Sequence, residues 1–273
     1  MIKPHPSKND SSAQAVRRHF DRESTDWSDR YDRQPGSLSQ LDVSVRLAVA
    51  SRMAASVDPS LSPRALVLDL GCGTGEGTSR IYREGMTVIA ADLSVEMVRN
   101  AVRRFPVLQG CVADATELPF ESERFDMVQS LGMLEYVGPY RGALRELRRV
   151  LKTGGTLVIS VPNRHSVFRH LHRLERFMTH PVRRLLARRV DGAGWEVGFR
   201  HRQWSLNEAV GLLESAGFGV VDYSLFTYGI LLPAAASWPA NLALCRWLNA
   251  RIGDKGALCR NLALTAVLQA RAL

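Results

Sequence analysis

The sequence predicts an α/β fold, a mostly parallel seven-stranded sheet with helices on both faces and a helical lid. Three observations carry this prediction. Apolar, β-rich runs alternate with segments of helical periodicity, a glycine string directly follows the first run, and 273 residues with 45% hydrophobic content suit one sizeable core. Parallel strands need crossover helices, and those helices bury both faces of the sheet. Residues 1–60 read as a helical lead-in and 61–273 as the main domain, with a basic helical insertion at 164–200.

The first strand is ALVLDL at 65–70, followed by GCGTGEG and a helix over Thr78 to Arg83. TVIAAD at 87–92 is the second strand. Ser94 suits an N-cap, and the helix after it carries Val95, Val98 and Val102 on one stripe. VLQGCVAD (107–114) and FDMVQS (125–130) supply two more strands, and a helix from Tyr140 to Leu151 follows. The Gly154-Gly155 pair reads as a stop before a fifth strand, GTLVISV at 155–161. Ser205 and Glu208 form a capping-box signature opening a helix that ends at Gly217. A sixth strand is expected at 219–228 and a seventh at 261–270.

Several classes are argued against. The start, MIKPHPSKND, has no apolar h-region, so it does not read as a secretory signal, and about ten residues there are expected to be disordered. The chain is expected to begin life in the cytoplasm. The longest apolar stretch, 229–248, is interrupted by Pro233, Pro239, Asn241 and Arg246, poor material for a spanning helix. Cys72, Cys111, Cys245 and Cys259 form no C-x-x-C pair and read as buried free thiols. No His, Cys and carboxylate cluster has metal-ligand spacing, so no metal site is expected.

The glycine string points to a ligand. Gly71, Gly73 and Gly75 permit a tight turn and close approach to the backbone, and the following helix offers free N–H groups. Asp92 ends the second strand, where a carboxylate accepts ribose hydroxyls, and Asp114 ends the third, where it can receive an adenine amino group. Together they describe an adenosine held across successive strand ends. The third glycine of the dinucleotide fingerprint would fall at Glu76, which argues against NAD, and there is no G-x-x-x-x-G-K-[ST] string for a nucleoside triphosphate.

VLDLGCGTG, the AAD of the second strand, ADATELPF, FDMVQS and LRRVLKTGGTLVISVPN resemble the successive motifs of class I S-adenosylmethionine-dependent methyltransferases. They are most similar to the small-molecule group that includes ubiquinone and menaquinone methyltransferases. The resemblance covers roughly residues 60–165. It implies a Rossmann-like sheet whose seventh strand inserts antiparallel beside the fifth, and S-adenosylmethionine as cofactor. By the same resemblance, Asp69, Gly71, Cys72, Gly73 and Gly75 line the methionine and ribose portion, Asp92 and Leu93 the ribose, Met97 the adenine face, Asp114 and Ala115 the adenine edge, and Ser130 and Leu131 the sulfonium side. The stretch HFDRESTDWSDRYDR resembles the family's lead-in helix, and Tyr31 is its candidate aromatic lid.

Methyl transfer is an in-line attack on a sulfonium, so the protein mainly supplies alignment, with a general base where the nucleophile is a hydroxyl. LEYV at 134–137 resembles the LEHV after the fourth strand of quinone-type methyltransferases, with Tyr136 in place of the histidine. Glu135 and Tyr136 are therefore pocket candidates and His201 a candidate base, with His165 an alternative. The expected reaction is methylation, at a hydroxyl, of a small-molecule or lipid-like acceptor. An RNA methyltransferase and a non-catalytic, membrane-associated binding protein are the alternatives.

Charge placement bears on the acceptor. Between Arg164 and Arg189 stand eight arginines, four histidines and a single acid, Glu175, so seven of the nine formal net positive charges fall in this stretch. Helical spacing puts Val167, Leu171, Leu174 and Met178 on one face and Arg169, Arg173 and Arg176 on the other. After Pro181 the theme repeats with Val182, Leu185 and Leu186 among Arg183, Arg184, Arg188 and Arg189. Two readings stand: peripheral contact with an anionic membrane at its inner face through 164–189, or a substrate lid with solvated arginines. Nucleic acid is argued against, because the charge comes with no recognisable RNA-binding module and no aromatic interleaving of the kind used to stack bases.

Overall fold

One seven-stranded sheet organises the molecule in the order β3-β2-β1-β4-β5-β7-β6. Its strands are β1 (Leu66–Leu70), β2 (Thr87–Asp92), β3 (Gln109–Val112), β4 (Phe125–Ser130), β5 (Leu151–Pro162), β6 (Phe218–Tyr228) and β7 (Ala263–Ala272). The first five pair in parallel, and β7 runs antiparallel to both β5 and β6. This is the Rossmann-like arrangement expected of the sequence. The computed structural model describes residues 8–28, 31, 35–56, 64–171, 174, 202–228, 238–252 and 254–273.

Helices α1 (Lys8–Trp27), α2 (Leu38–Ser56), α3 (Glu76–Ile81), α4 (Val95–Arg104), α5 (Tyr140–Val150), α6 (Leu206–Ser215), α7 (Pro239–Arg251) and α8 (Ala257–Leu262) surround the sheet. Side chains alternate along each strand, so β1 serves two cores. Leu68 and Leu70 pack with Leu144 and Leu147 of α5 and Leu213 of α6. Val67 faces the opposite layer with Val49 and Met53 of α2 and Ala101 of α4. Both predicted caps form: Ser94 Oγ accepts from the Met97 N–H, and Ser205 and Glu208 make the capping box.

Several boundaries differ from the sequence reading. Helix α1 begins at Lys8, inside the stretch expected to be disordered. Helix α3 starts at Glu76, because Gly75 at φ +91 already turns the chain into it. The buried face of α4 is Met97, Val98 and Ala101, with Val95 and Val102 half-buried. Strand β3 is shorter than predicted. Strand β5 starts directly after α5, and Gly154 and Gly155 lie within it at a bulge rather than stopping the helix. Residues 261 and 262, expected to open the last strand, close α8. Cys72, Cys245 and Cys259 are buried free thiols, while Cys111 is only half-buried.

The described part of the basic insertion departs from the predicted faces, although Leu171 of the apolar stripe is half-buried. Val167 is 42% and Leu174 55% exposed, while Arg169 turns inward to donate from Nε and Nη2 to the Leu264 carbonyl, at 3.3 and 3.2 Å. Phe168, off the predicted apolar stripe, packs against Leu38, Leu41, Cys245 and Leu264. Arg173, Arg176, Met178 and the repeat after Pro181 lie outside the described residues, as does His201. Among the described residues no helix is long and apolar enough to cross a membrane.

Candidate functional site

The carboxyl ends of β1, β2 and β3 form a cradle. After β1, Gly71, Gly73 and Gly75 all take positive φ, at 79°, 54° and 91°. The Gly71 and Cys72 N–H groups both donate to the Ala91 carbonyl, at 2.8 and 3.0 Å, which ties the loop to β2. A Cβ on Gly71 would stand 2.6 Å from the Met133 Cβ, so the missing side chain at this position is a steric requirement.

Asp92 closes the cradle from β2. Its Oδ2 accepts from the Gly73 N–H at 3.0 Å and its Oδ1 from the Ser94 N–H at 2.9 Å. Burial raises its carboxyl above the ordinary range, against the pull of these backbone donors. Asp69 lies deeper, 2% exposed, and accepts from Thr78 Oγ1 at 2.6 Å; burial pushes its carboxyl up to about 6. Glu76, at the third-glycine position of a dinucleotide loop, is held inward by Thr74 Oγ1 at 2.6 Å and Arg104 at 3.3 Å. The Cys72 thiol is pushed well up by burial and by the neighbouring Asp92 and Asp69.

The other predicted residues flank this cradle. Leu93 is half-buried beside Asp92, and Met97 is buried one turn into α4. Asp114 follows β3 and accepts from the Thr116 N–H and hydroxyl at 2.8 and 2.7 Å, with Ala115 buried beside it. Ser130 ends β4, next to β1 in the sheet, and Leu131 follows it. His165 is exposed just after β5.

The lead-in helix covers the loop. Ser94 Oγ donates to Asp21 Oδ1 at 2.6 Å and Asn100 Nδ2 to the Ser24 carbonyl at 3.3 Å, which fixes α1 against the start of α4. The Trp27 Nε1 lies 3.5 Å from where a Gly73 Cβ would stand, and donates to Tyr31 Oη at 3.2 Å. Trp27, unremarked in the sequence, is thus the aromatic residue against the glycine loop, with Tyr31 behind it. Phe20 meets Trp27 and Tyr136 edge-on, at centroid distances of 5.4 and 5.1 Å.

A second group of polar side chains stands beyond β4. Glu135 and Tyr136 lie on a 3-10 turn, Leu134–Tyr136, directly after Gly132 and Met133. Glu135 is 6% exposed, and its Oε2 has no hydrogen-bond partner among the described residues. Burial raises its carboxyl above the usual range, and Arg46 and Arg169 oppose the rise. Arg46 of α2 packs against Gly132, whose φ of +68° and missing side chain leave room for the guanidinium. Arg46 lies 3.9 Å from Asp42, and Thr265 Oγ1 donates to the Asp42 carboxylate, its two oxygens at 2.9 and 3.0 Å. The sequence signal for this pair was an acid and a base four residues apart in a helix whose one other charged residue is Arg52. Among the described residues no His, Cys, Asp and Glu group could hold a metal ion.

A family profile described as "Methyltransferase domain" matches residues 68–159, the span from β1 to β5. The chain is 34% identical over 162 residues to a demethylmenaquinone methyltransferase of Mycolicibacterium gilvum, an overlap covering 50% of this chain and 70% of that one. It is 33% identical over 212 residues to a malonyl-[acyl-carrier protein] O-methyltransferase of Herminiimonas arsenicoxydans, covering 75% and 77%. The chain belongs to the class I S-adenosylmethionine-dependent methyltransferases. Its fold also matches the solved magnesium protoporphyrin IX methyltransferase of Synechocystis PCC 6803 with bound S-adenosylhomocysteine, at TM-score 0.62 and 16% identity over 96% of this chain and 100% of that one. By its family, this methyltransferase uses S-adenosylmethionine. The cradle suits that cofactor: a glycine-rich loop under an indole, and a strand-end carboxylate already oriented by two backbone donors.

Proposed function

We propose that this methyltransferase methylates a hydroxyl of a small-molecule or lipid-like acceptor, with Glu135 receiving the proton. The observation that carries the reading is the buried Glu135 carboxyl beyond β4, with Oε2 unpartnered. A base is most effective when its pKa approaches the working pH, and burial moves Glu135 in that direction. The bound cofactor supplies a methyl activated by a sulfonium.

In this reading Asp69, Gly71, Cys72, Gly73 and Gly75 hold the methionine and ribose portion, and Asp92 and Leu93 the ribose. Met97, Asp114 and Ala115 frame the adenine, Ser130 and Leu131 bound the sulfonium side, and Trp27 with Tyr31 closes the loop. Tyr136 orients the acceptor, whose O–H proton passes to Glu135 Oε2 as the new C–O bond forms and the methyl–sulfur bond breaks. His201 keeps its place as an alternative base from the sequence. The exposed Val167 and Leu174 suit a lipid-like acceptor approaching from that side, with the 164–200 insertion as its lid.

The test combines labelled transfer with one variant. Methyl-labelled S-adenosylmethionine is incubated with the protein and with separated lipid, metabolite, RNA and protein fractions. Label is expected in lipid or metabolites, and Glu135→Gln is expected to lower turnover about 100-fold, the scale of a lost general base, with cofactor affinity unchanged. Label in RNA, or full turnover in the variant, overturns the reading.

A further inference from the structure

Strands β6 and β7 are antiparallel neighbours whose ends meet, with Tyr228 opposite Ala263. A short turn is enough to join such a pair. This chain instead places residues 229–262 between them, and α7 and α8 lie in that excursion. Helix α7 turns Asn241, Leu242, Cys245 and Leu248 inward, and Cys245 packs with Leu38, Leu41 and Leu264. At about 100° per residue its outward arc runs Arg246, Ala250, Ala243, Trp247, Ala240 and Arg251, all of them exposed. The middle of that arc is apolar and both of its margins are arginine. Trp247 is 54% exposed, and Trp238, which precedes the helix, is 63% exposed.

A surface helix of a soluble domain normally turns polar side chains to water, so an apolar outward arc marks a face that meets a partner. Charge identifies the partner. Residues 239–251 contain two arginines and no acid. Just beyond the helix, Asp254 is ion-paired with Arg52 at 3.6 Å and Lys255 with Asp222 at 2.7 Å. A second copy docked with its own α7 on this face would bring no acid from that helix to the arginines. An anionic lipid surface meets both needs, with negative headgroups for guanidinium groups and an interfacial layer where indole rings settle. The segment after β5 extends the same side of the molecule. Phe168 packs in the small core that holds Cys245, and its neighbour Val167 is exposed.

We infer that α7 lays its outward arc on an anionic membrane surface, with Trp238 and Trp247 among the headgroups and Arg246 and Arg251 meeting lipid phosphates. Arg251 stands over the Trp247 ring at 5.6 Å from its centroid, and Arg246 donates to the Pro35 carbonyl at 3.1 Å. The inference does not depend on the proposed reaction, since it holds for a water-soluble acceptor as for a lipid. It places the contact on α7 rather than on the arginines of 164–189.

The experiment is co-sedimentation of the full chain with vesicles of phosphatidylcholine, alone and mixed with phosphatidylglycerol. Quenching of tryptophan emission by brominated phosphatidylcholine in the mixed vesicles is the second readout. Wild type is expected to bind mixed vesicles about tenfold more strongly than neutral ones, with quenching. Trp238→Ala/Trp247→Ala is expected to weaken that binding about tenfold and to remove most of the quenching, with S-adenosylhomocysteine affinity unchanged as the check on folding. Arg251→Gln should cost about fivefold on mixed vesicles, the scale of one arginine near headgroups at low salt, and nothing on neutral ones. If the double variant folds poorly, Trp247→Gln alone should still weaken binding about threefold. No binding of wild type to mixed vesicles overturns the inference, as do binding and quenching intact in the tryptophan variants. A wild-type dimer in light scattering that the tryptophan variants abolish, without vesicle binding, would assign the face to a second copy and overturn it too.

Discussion

The two halves of the site are built by different means. Over β1 to β3 the binding groups are main-chain turns and strand-end acids, close together in sequence, with both Asp92 oxygens already on backbone donors. Over β4, β5 and β7 they are long charged side chains from α2, the turn after β4 and the segment after β5, with the Glu135 Oε2 acceptor unused. The first half suits a ligand of fixed shape approached by backbone, while the second is assembled from groups that substitution can change without moving the sheet. If this division is real, variants should separate cleanly into those that alter cofactor affinity and those that alter acceptor handling.

The largest effect is expected at Gly71. Alanine there must adopt φ near +79° and place its Cβ 2.6 Å from the Met133 Cβ, which belongs to a side-chain root rather than a movable tip. The left-handed conformation alone costs about 1–2 kcal/mol. Gly71→Ala should weaken S-adenosylhomocysteine binding at least 100-fold, about 2.7 kcal/mol, by calorimetry. Binding within fivefold of wild type would mean that the loop adjusts and the cradle is not backbone-built.

Asp69 gives a pH test of the same half. Its folded carboxyl titrates at about 6 against an ordinary 3.8, so the folded state holds the proton more tightly. The folded protein is therefore favoured below the unfolded value, and this contribution is lost as pH rises from about 4 to 6, to a maximum of about 3 kcal/mol. Asp69→Asn keeps an acceptor for Thr78 and removes the titration. Its stability relative to wild type, from urea unfolding, should rise across that window and level off above it, and a flat difference would show Asp69 ionised at little cost. Asp92→Ala should follow at about 1.4 kcal/mol, a tenfold loss of cofactor affinity by calorimetry.

How far each half was legible follows from this construction. The glycine loop, Asp92, Asp114 and both helix caps were readable because each is a local pattern whose geometry is set within a few residues. The β5 boundary was not, since Gly154 at φ +76° lets the chain bulge and remain a strand where a glycine pair reads as a stop. The inward turn of Arg169 was missed because periodicity ranks faces by polarity, whereas its orientation is set by a carbonyl on β7 and by the field of Asp42 and Glu135. Arg46 and Trp27 became functional candidates only once α2 and α1 were packed on the sheet. Nothing within their own helices distinguishes them from an ion-paired base and a core aromatic.

The smallest expected effect bears most directly on the separation of the halves. Phe20 touches both, through Trp27 on the glycine-loop side and Tyr136 on the acceptor side. Edge-to-face pairs of this kind contribute about 0.5–1.5 kcal/mol each beyond their buried area. Phe20→Leu keeps most of the volume and removes the ring geometry. It should therefore weaken S-adenosylhomocysteine binding and raise the acceptor KM by about threefold each, with kcat nearly unchanged. A change confined to cofactor affinity would place Phe20 wholly with α1 and make the halves independent. A matched change in both would identify this aromatic contact as the place where loading one half is felt by the other.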